Sequence, residues 1–88
     1  MKALIYDTQG TDVLEYREVT DPLPGPADVV VRVAATTVNH LDAIQRNGWF
    51  TMPGFSLPHI SGMDVVGTVM ELGSDVTRVS TGDRVVVD

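Results

Sequence analysis

Residues Val29 to Gly48 read VVVRVAATTVNHLDAIQRNG, and the change of pattern inside this stretch decides the fold. Its first half, Val29 to Val38, is dominated by valine and threonine, residues that suit a pleated and partly buried surface. The small side chains of Ala34, Ala35, Thr36 and Thr37 leave room for something bulky alongside. At Asn39 the pattern turns helical. Asparagine is a favoured N-cap, and Asp42 stands where a capping box places its acid. That acid also suits the positive end of the helix dipole. Leu41 and Ile44 recur at helical spacing on one face. Arg46 lies in the last turn, and Asn47-Gly48 supplies a stop. The spacing predicts one helix of about two turns between Asn39 and Gly48, too short to be stable without packing against something else.

Strand signals lie on both sides. Lys2 to Tyr6 (KALIY) is a short apolar run that places Tyr6 in the first strand. Val13 to Val19 (VLEYREV) alternates, with Leu14 and Tyr16 on one face and Glu15 and Arg17 on the other, as a half-buried strand paired in a hairpin with the first would. Asp21 to Asp28 (DPLPGPAD) contains three prolines, which lack the N–H a central strand or helix needs, so it is an extended connector. After the helix, Trp49 to Pro58 (WFTMPGFSLP) is a loop, and His59 belongs to it. Met63 to Leu72 (MDVVGTVMEL) is a strand whose interior Gly67 marks a bulge or a close backbone approach. Gly73-Ser74-Asp75 and Ser80 to Asp83 are turns, and Arg84 to Val87 is the last strand. About five strands and one short helix make a mainly β fold, a small and partly open β-barrel, with residues 1–88 forming one small domain.

The balance of twelve acidic against six basic residues gives a net charge of −6. Phosphate binding needs a basic face, so nucleic acid and anionic membranes are excluded as expected partners. No apolar run is long enough to span a bilayer, and MKALIYDTQG has no signal-peptide core. There is no cysteine, hence no thiolate chemistry and no Cys-ligated zinc within the chain; this fits a cytoplasmic protein. No G-x-G-x-x-G, P-loop, G-x-S-x-G or H-E-x-x-H occurs, and the order of elements does not build a Rossmann unit.

The ordered set of motifs resembles a known family. Asn39-His40-Leu41-Asp42 opens the helix that ends at Gly48. After it come Pro58-x-x-x-Gly62-x-Asp64-x-x-Gly67, Leu72-Gly73-Ser74-Asp75-Val76 and Gly82-Asp83-Arg84-Val85. This series is similar to the N-terminal GroES-like domain of the medium-chain dehydrogenases/reductases, over nearly the whole chain. The resemblance implies a GroES-like barrel that is incomplete relative to the family, without the Rossmann domain that holds most of the cofactor. In the family's zinc alcohol dehydrogenases, a zinc-binding cysteine falls on Asn39, a histidine on Met63 and a glutamate on Asp64, while the proton-relaying hydroxyl falls on Leu41. An amide and a thioether are poor zinc ligands. The resemblance therefore implies the zinc-free quinone oxidoreductase branch, which carries N-x-x-D and G-x-D at Asn39, Asp42, Gly62 and Asp64, and no metal site.

The resemblance leads to the expectation of a substrate-side domain of an oxidoreductase that transfers hydride from NADPH to quinones, enones or related carbonyl compounds, inactive by itself. Its partner is a small molecule. The longer protein is expected to be a homo-oligomer, and the isolated chain, with sheet edges left open, to self-associate. Asn39 either reaches the nicotinamide ribose or substrate carbonyl, or only caps the helix. His40 matches a pyrophosphate-contacting position, or is simply exposed. Asp42 and Asp64 are likewise substrate- or cofactor-proximal candidates, or serve structure only, Asp42 by capping the helix and Asp64 by shaping a turn into its strand. Trp49, Phe50, Met52 and Phe55 either line a flat apolar slot or cap a thin core. Two rival readings are a zinc-dependent alcohol dehydrogenase domain with degenerate ligands and a non-enzymatic GroES-like module.

Overall fold

Valine-rich segments form the long strands and the proline-rich segment forms none, so the strongest local preferences prevail. The computed structural model describes residues 1–87; Asp88 lies outside the described residues. In chain order the elements are β1 (Lys2–Tyr6), β2 (Glu15–Glu18), β3 (Val29–Thr36), α1 (His40–Asn47), β4 (His59–Ile60), β5 (Val65–Leu72) and β6 (Arg84–Val87). The fold is mainly β with one helix. Its strands form two antiparallel three-stranded sheets, ordered β2-β1-β4 and β3-β5-β6, and no ladder among the described residues closes them into a barrel. Among the described residues, no helix is long and apolar enough to cross a membrane.

The chain forms two compact units: Met1–Thr20 with Val38–Met63, and Asp21–Thr37 with the segment from Asp64 onward. In the first unit, β1 is central. Its Ala3, Ile5 and Tyr6 are buried, and Tyr6 is only 1% exposed. The hairpin with β2 forms as expected, with Leu4 opposite Tyr16, but β2 is shorter than Val13 to Val19 and its burial is different. Tyr16 is 69% exposed. An edge strand of four residues with nothing stacked on its apolar side cannot bury that side. The polar face is the organised one instead: Arg17 pairs with Asp7 at 2.6 Å and Glu15 at 2.7 Å. These exposed pairs order the hairpin but contribute little stability. His59 is a second difference. It lies not in a loop but in β4, opposite Tyr6; two residues are too few for a strand pattern in sequence.

The helix follows its expected caps, with Asn39 as N-cap and Gly48 in the left-handed region at φ 83°. Gly48 N–H donates to Gln45 O at 3.1 Å and Trp49 N–H to Ile44 O at 3.2 Å. Two contacts from the segment after β1 reach the same end: Gln9 Nε2 donates to Gln45 O at 3.1 Å, and Gly10 N–H to Arg46 O at 2.9 Å. The buried residues of α1 are Asp42 and Gln45, not Leu41 and Ile44, which are less deeply placed. Leu41 and Ile44 are half-buried beside them, so the apolar spacing alone does not mark the most deeply buried positions.

In the second unit the connector forms no strand or helix and folds back on the turn after β5. Gly73 N–H donates to Asp28 O at 2.7 Å and Asp75 N–H to Pro26 O at 2.8 Å. A Cβ on Gly73 would overlap the carbonyl oxygens of Gly25 and Pro26. The central strand β5 begins at Val65, two residues later than Met63, and its Val69 is fully buried. The register between β3 and β5 shifts twice, between Val30 and Val31 and between Val33 and Ala35, so Met70 and Ala34 are the extra residues of two bulges. Gly67, paired with Val33, borders the second bulge. It is a site of close backbone approach, where a Cβ would overlap the Arg32 carbonyl oxygen.

Gly67→Ala forces β3 and β5 apart and is expected to lower the unfolding free energy by about 3 kcal/mol. Gly54→Ala, at φ 85° with nothing within 4 Å, carries only backbone strain and should cost about 1 kcal/mol. Urea unfolding of the two variants measures the difference.

Candidate functional site

The site residues read from the sequence divide between the two units. Asn39, His40, Asp42, Trp49 and Phe50 belong to the first, and Asp64 to the second. Asn39 and Asp42 are brought together: the Asn39 N–H donates to Asp42 Oδ2 at 2.8 Å, and the Asp42 N–H donates to the Asn39 carbonyl at 3.0 Å. Together they form a capping box, which fixes the chain's entry into the helix. His40, the first helical residue, is exposed. Asp42 is 9% exposed, and its Oδ1 is buried without a hydrogen-bond partner.

The four apolar loop residues do not act as one group. Trp49 is 76% exposed and Phe50 53%, so neither caps the core. Met52 is also exposed, while Phe55 turns inward. Its ring centroid lies 4.8 Å from that of His59 and 6.4 Å from that of Tyr6, and the Tyr6 and His59 rings are 5.5 Å apart.

Gln45 joins this cluster and was not singled out from the sequence. It is 3% exposed. Its Oε1 accepts from the Met52 N–H at 2.8 Å, and its Nε2 lies 3.0 Å from His59 Nε2. Burial pushes the His59 imidazole below its ordinary value, and the nearby Asp42 offsets part of this. Burial likewise pushes the Tyr6 phenol up. Gln45 lies close enough to Tyr6 to oppose that shift, but not in alignment for a hydrogen bond, since Tyr6 Oη is buried without a partner. A glutamine in a helix carries no sequence signal for such a role, because its partners come from residues distant in the chain.

In the second unit, Asp64 precedes β5. Thr37 Oγ1 donates to Asp64 Oδ2 at 3.1 Å, and Thr36 Oγ1 donates to the Asp64 carbonyl. These residues line an open depression of about 430 Å³ with Ala35, Val65, Val66, Val86 and Val87. It is an apolar recess with one carboxyl and two hydroxyls on its wall, and the small side chains at 35–37 provide the space.

Among the described residues, no group of three or more His, Asp or Glu side chains is placed to hold a metal ion.

Loss of the capping bond gives a direct test. Asp42→Ala is expected to lower stability by about 1 kcal/mol and to fray the start of α1, measured by urea unfolding and by the exchange rate of the Asn39 amide.

Comparison with known proteins places this geometry. The alcohol dehydrogenase GroES-like domain matches residues 25–88. A quinone oxidoreductase of Pseudomonas aeruginosa is 43% identical over 76 residues, covering 86% of this chain and 23% of the relative. The structure of Escherichia coli quinone oxidoreductase complexed with NADPH superposes with a TM-score of 0.86 at 31% identity, over 98% of this chain and 26% of that one. A cobalt- and zinc-bound alcohol dehydrogenase of Pyrobaculum aerophilum gives a TM-score of 0.85 at 40% identity, over 98% and 26%. The chain thus spans about a quarter of the length of the relatives it matches. It belongs to the alcohol dehydrogenase GroES-like domain family of the medium-chain dehydrogenases/reductases, and it resembles the quinone oxidoreductases among them.

Proposed function

We propose that the chain is the substrate-side domain of a zinc-free oxidoreductase that transfers hydride from NADPH to quinones, enones or related carbonyl compounds, and that it is inactive by itself. The observation that carries this reading is Asn39. By the family resemblance it falls where the zinc-dependent members carry a ligating cysteine, and its backbone N–H is held by Asp42 at 2.8 Å. The similarity to quinone oxidoreductases supports the same reading.

Each residue then has a role. The Asn39 amide addresses the nicotinamide ribose or the substrate carbonyl. The exposed His40, at the start of α1, donates to the cofactor's pyrophosphate. Asp42 positions Asn39. Trp49 and Phe50 form an apolar wall for a flat substrate. Asp64 ties down the Thr36-Thr37 segment beside the valine-lined recess. The cofactor supplies the hydride, while this domain orients substrate and keeps water out. The dinucleotide itself is bound mainly by a Rossmann domain outside this chain. We also place the longer protein in the cytoplasm as a homo-oligomer. The apolar strand β6, with Val86 76% exposed, makes self-association of the isolated chain an expected consequence.

The second reading, a zinc-dependent alcohol dehydrogenase, is favoured by the similarity to the metal-bound Pyrobaculum enzyme. NADPH oxidation by the longer protein with a benzoquinone separates the two. Turnover should persist in a strong chelator, and Asn39→Ala should lower kcat/KM about tenfold, the worth of one well-placed hydrogen bond. Turnover lost in chelator and restored by zinc would establish the second reading instead. The 88-residue chain titrated with NADPH should show no micromolar binding.

A further inference from the structure

We propose that Gln45 and His59 form a latch that positions the loop carrying Trp49 and Phe50, and that the latch holds in only one protonation state of His59. The assignment of that loop to substrate rests on the proposed oxidoreductase function; the latch rests on its own contacts.

Met52 sets the polarity of the whole arrangement. Its backbone N–H can only donate, so the Gln45 atom that receives it at 2.8 Å is the carbonyl oxygen, Oε1. This fixes the orientation of the amide. The atom facing His59 at 3.0 Å is then the NH₂ nitrogen, which can only donate. His59 Nε2 must accept, so the imidazole is neutral and carries its proton on Nδ1. One glutamine thereby joins α1, β4 and the loop between them.

Protonation of His59 breaks this arrangement whichever way the amide turns. An imidazolium presents an N–H at Nε2, opposite the Gln45 NH₂. If the amide rotates to offer Oε1 to the imidazolium, its NH₂ then faces the Met52 N–H, and that bond is lost instead. Gln45 is 3% exposed, so water has little access to its amide, and leaving one of that amide's hydrogen-bonding groups unpaired is costly.

The surroundings of His59 are consistent with the neutral form. Tyr6 on β1 and Phe55 in the loop pack their rings against it. Asp42, on the helix, favours the charged imidazole. Arg46 is the helix's cation and acts on Tyr6. Burial outweighs the effect of Asp42, so His59 titrates below its ordinary value of 6.5. Because the folded value is depressed, the latch contributes its full stability above pH 6.5 and loses it as pH falls through the folded value. The loop is therefore held at neutral pH and released in acid.

Amide hydrogen exchange at Met52, corrected for the intrinsic rate, combined with NMR titration of His59 in the 88-residue chain, tests this. Met52 protection should fall about tenfold as His59 protonates, and the neutral ring should show the Nδ1–H tautomer. His59→Gln, which cannot titrate, should keep Met52 protected through the same range. Gln45→Glu offers an acceptor to both partners, so it should raise the His59 midpoint and keep Met52 protected in acid. Unchanged Met52 protection through the wild-type His59 titration would overturn the latch, as would an Nε2–H tautomer or a Gln45→Glu variant that still releases Met52 in acid. None of these readouts depends on turnover, so failure of the proposed activity and failure of the latch are separable.

Discussion

An eight-residue helix cannot hold itself together in water, and the way α1 is fastened is the constraint on which the first unit depends. Its start is closed by Asn39 and Asp42. Its end is satisfied by Gly48 and by Gln9 and Gly10 from the segment following β1. Between these, the Gln45 side chain reaches both the loop and β4. Several of these fastenings are part-buried polar contacts that involve the buried side chains of Asp42 and Gln45, and the less water reaches such a contact the stronger the hydrogen bond and the more costly an unpaired group. With Tyr6 and few other side chains fully buried, apolar burial alone would leave the helix free to rotate. The buried amide fixes its rotation.

The second unit meets the same shortage of core differently. Backbones are brought closer than side chains would allow. Gly67 admits the Arg32 carbonyl and Gly73 admits those of Gly25 and Pro26. The connector thereby becomes a wall of the unit despite its prolines, and two bulges let β3 follow β5 while Val69 stays fully covered. The small residues Ala35 to Thr37 have the complementary effect, opening the recess at Asp64.

Features specified locally were the ones legible in the sequence. Asn39, Asp42 and Gly48 announced both ends of the helix because capping is a relation between residues at most a few positions apart. The connector and the turns were legible through proline and glycine. Burial was not. Tyr16 alternates correctly along β2, yet whether its side is covered depends on what lies over an edge strand. Leu41 and Ile44 sit at helical spacing, yet Asp42 and Gln45 point inward. The Gln45–His59 pair joins residues fourteen positions apart, and nothing in either neighbourhood marks it. Among the site residues, the pairing of Asn39 with Asp42 was legible, as was the loop position of Trp49 and Phe50. The separation of Phe55 from that pair depends on ring packing with Tyr6 and His59.

The inward face of α1 also determines what its outward face presents. Successive residues turn by about 100° around a helix. Asp42 and Gln45 are thus about 60° apart on one side, while His40 is rotated by about 200° from Asp42, in agreement with its exposure. The contacts that bury Asp42 and Gln45 therefore keep His40 out of the Tyr6–His59 cluster and hold its imidazole on the solvent side, at the start of α1. A helix with an apolar inward face would tolerate rotation by a fraction of a turn, because apolar contacts are not directional. A buried amide bonded on both ends does not. Polar burial in a domain with so little core thus does what packing density does in a larger one: it specifies a single orientation for the residues that face outward.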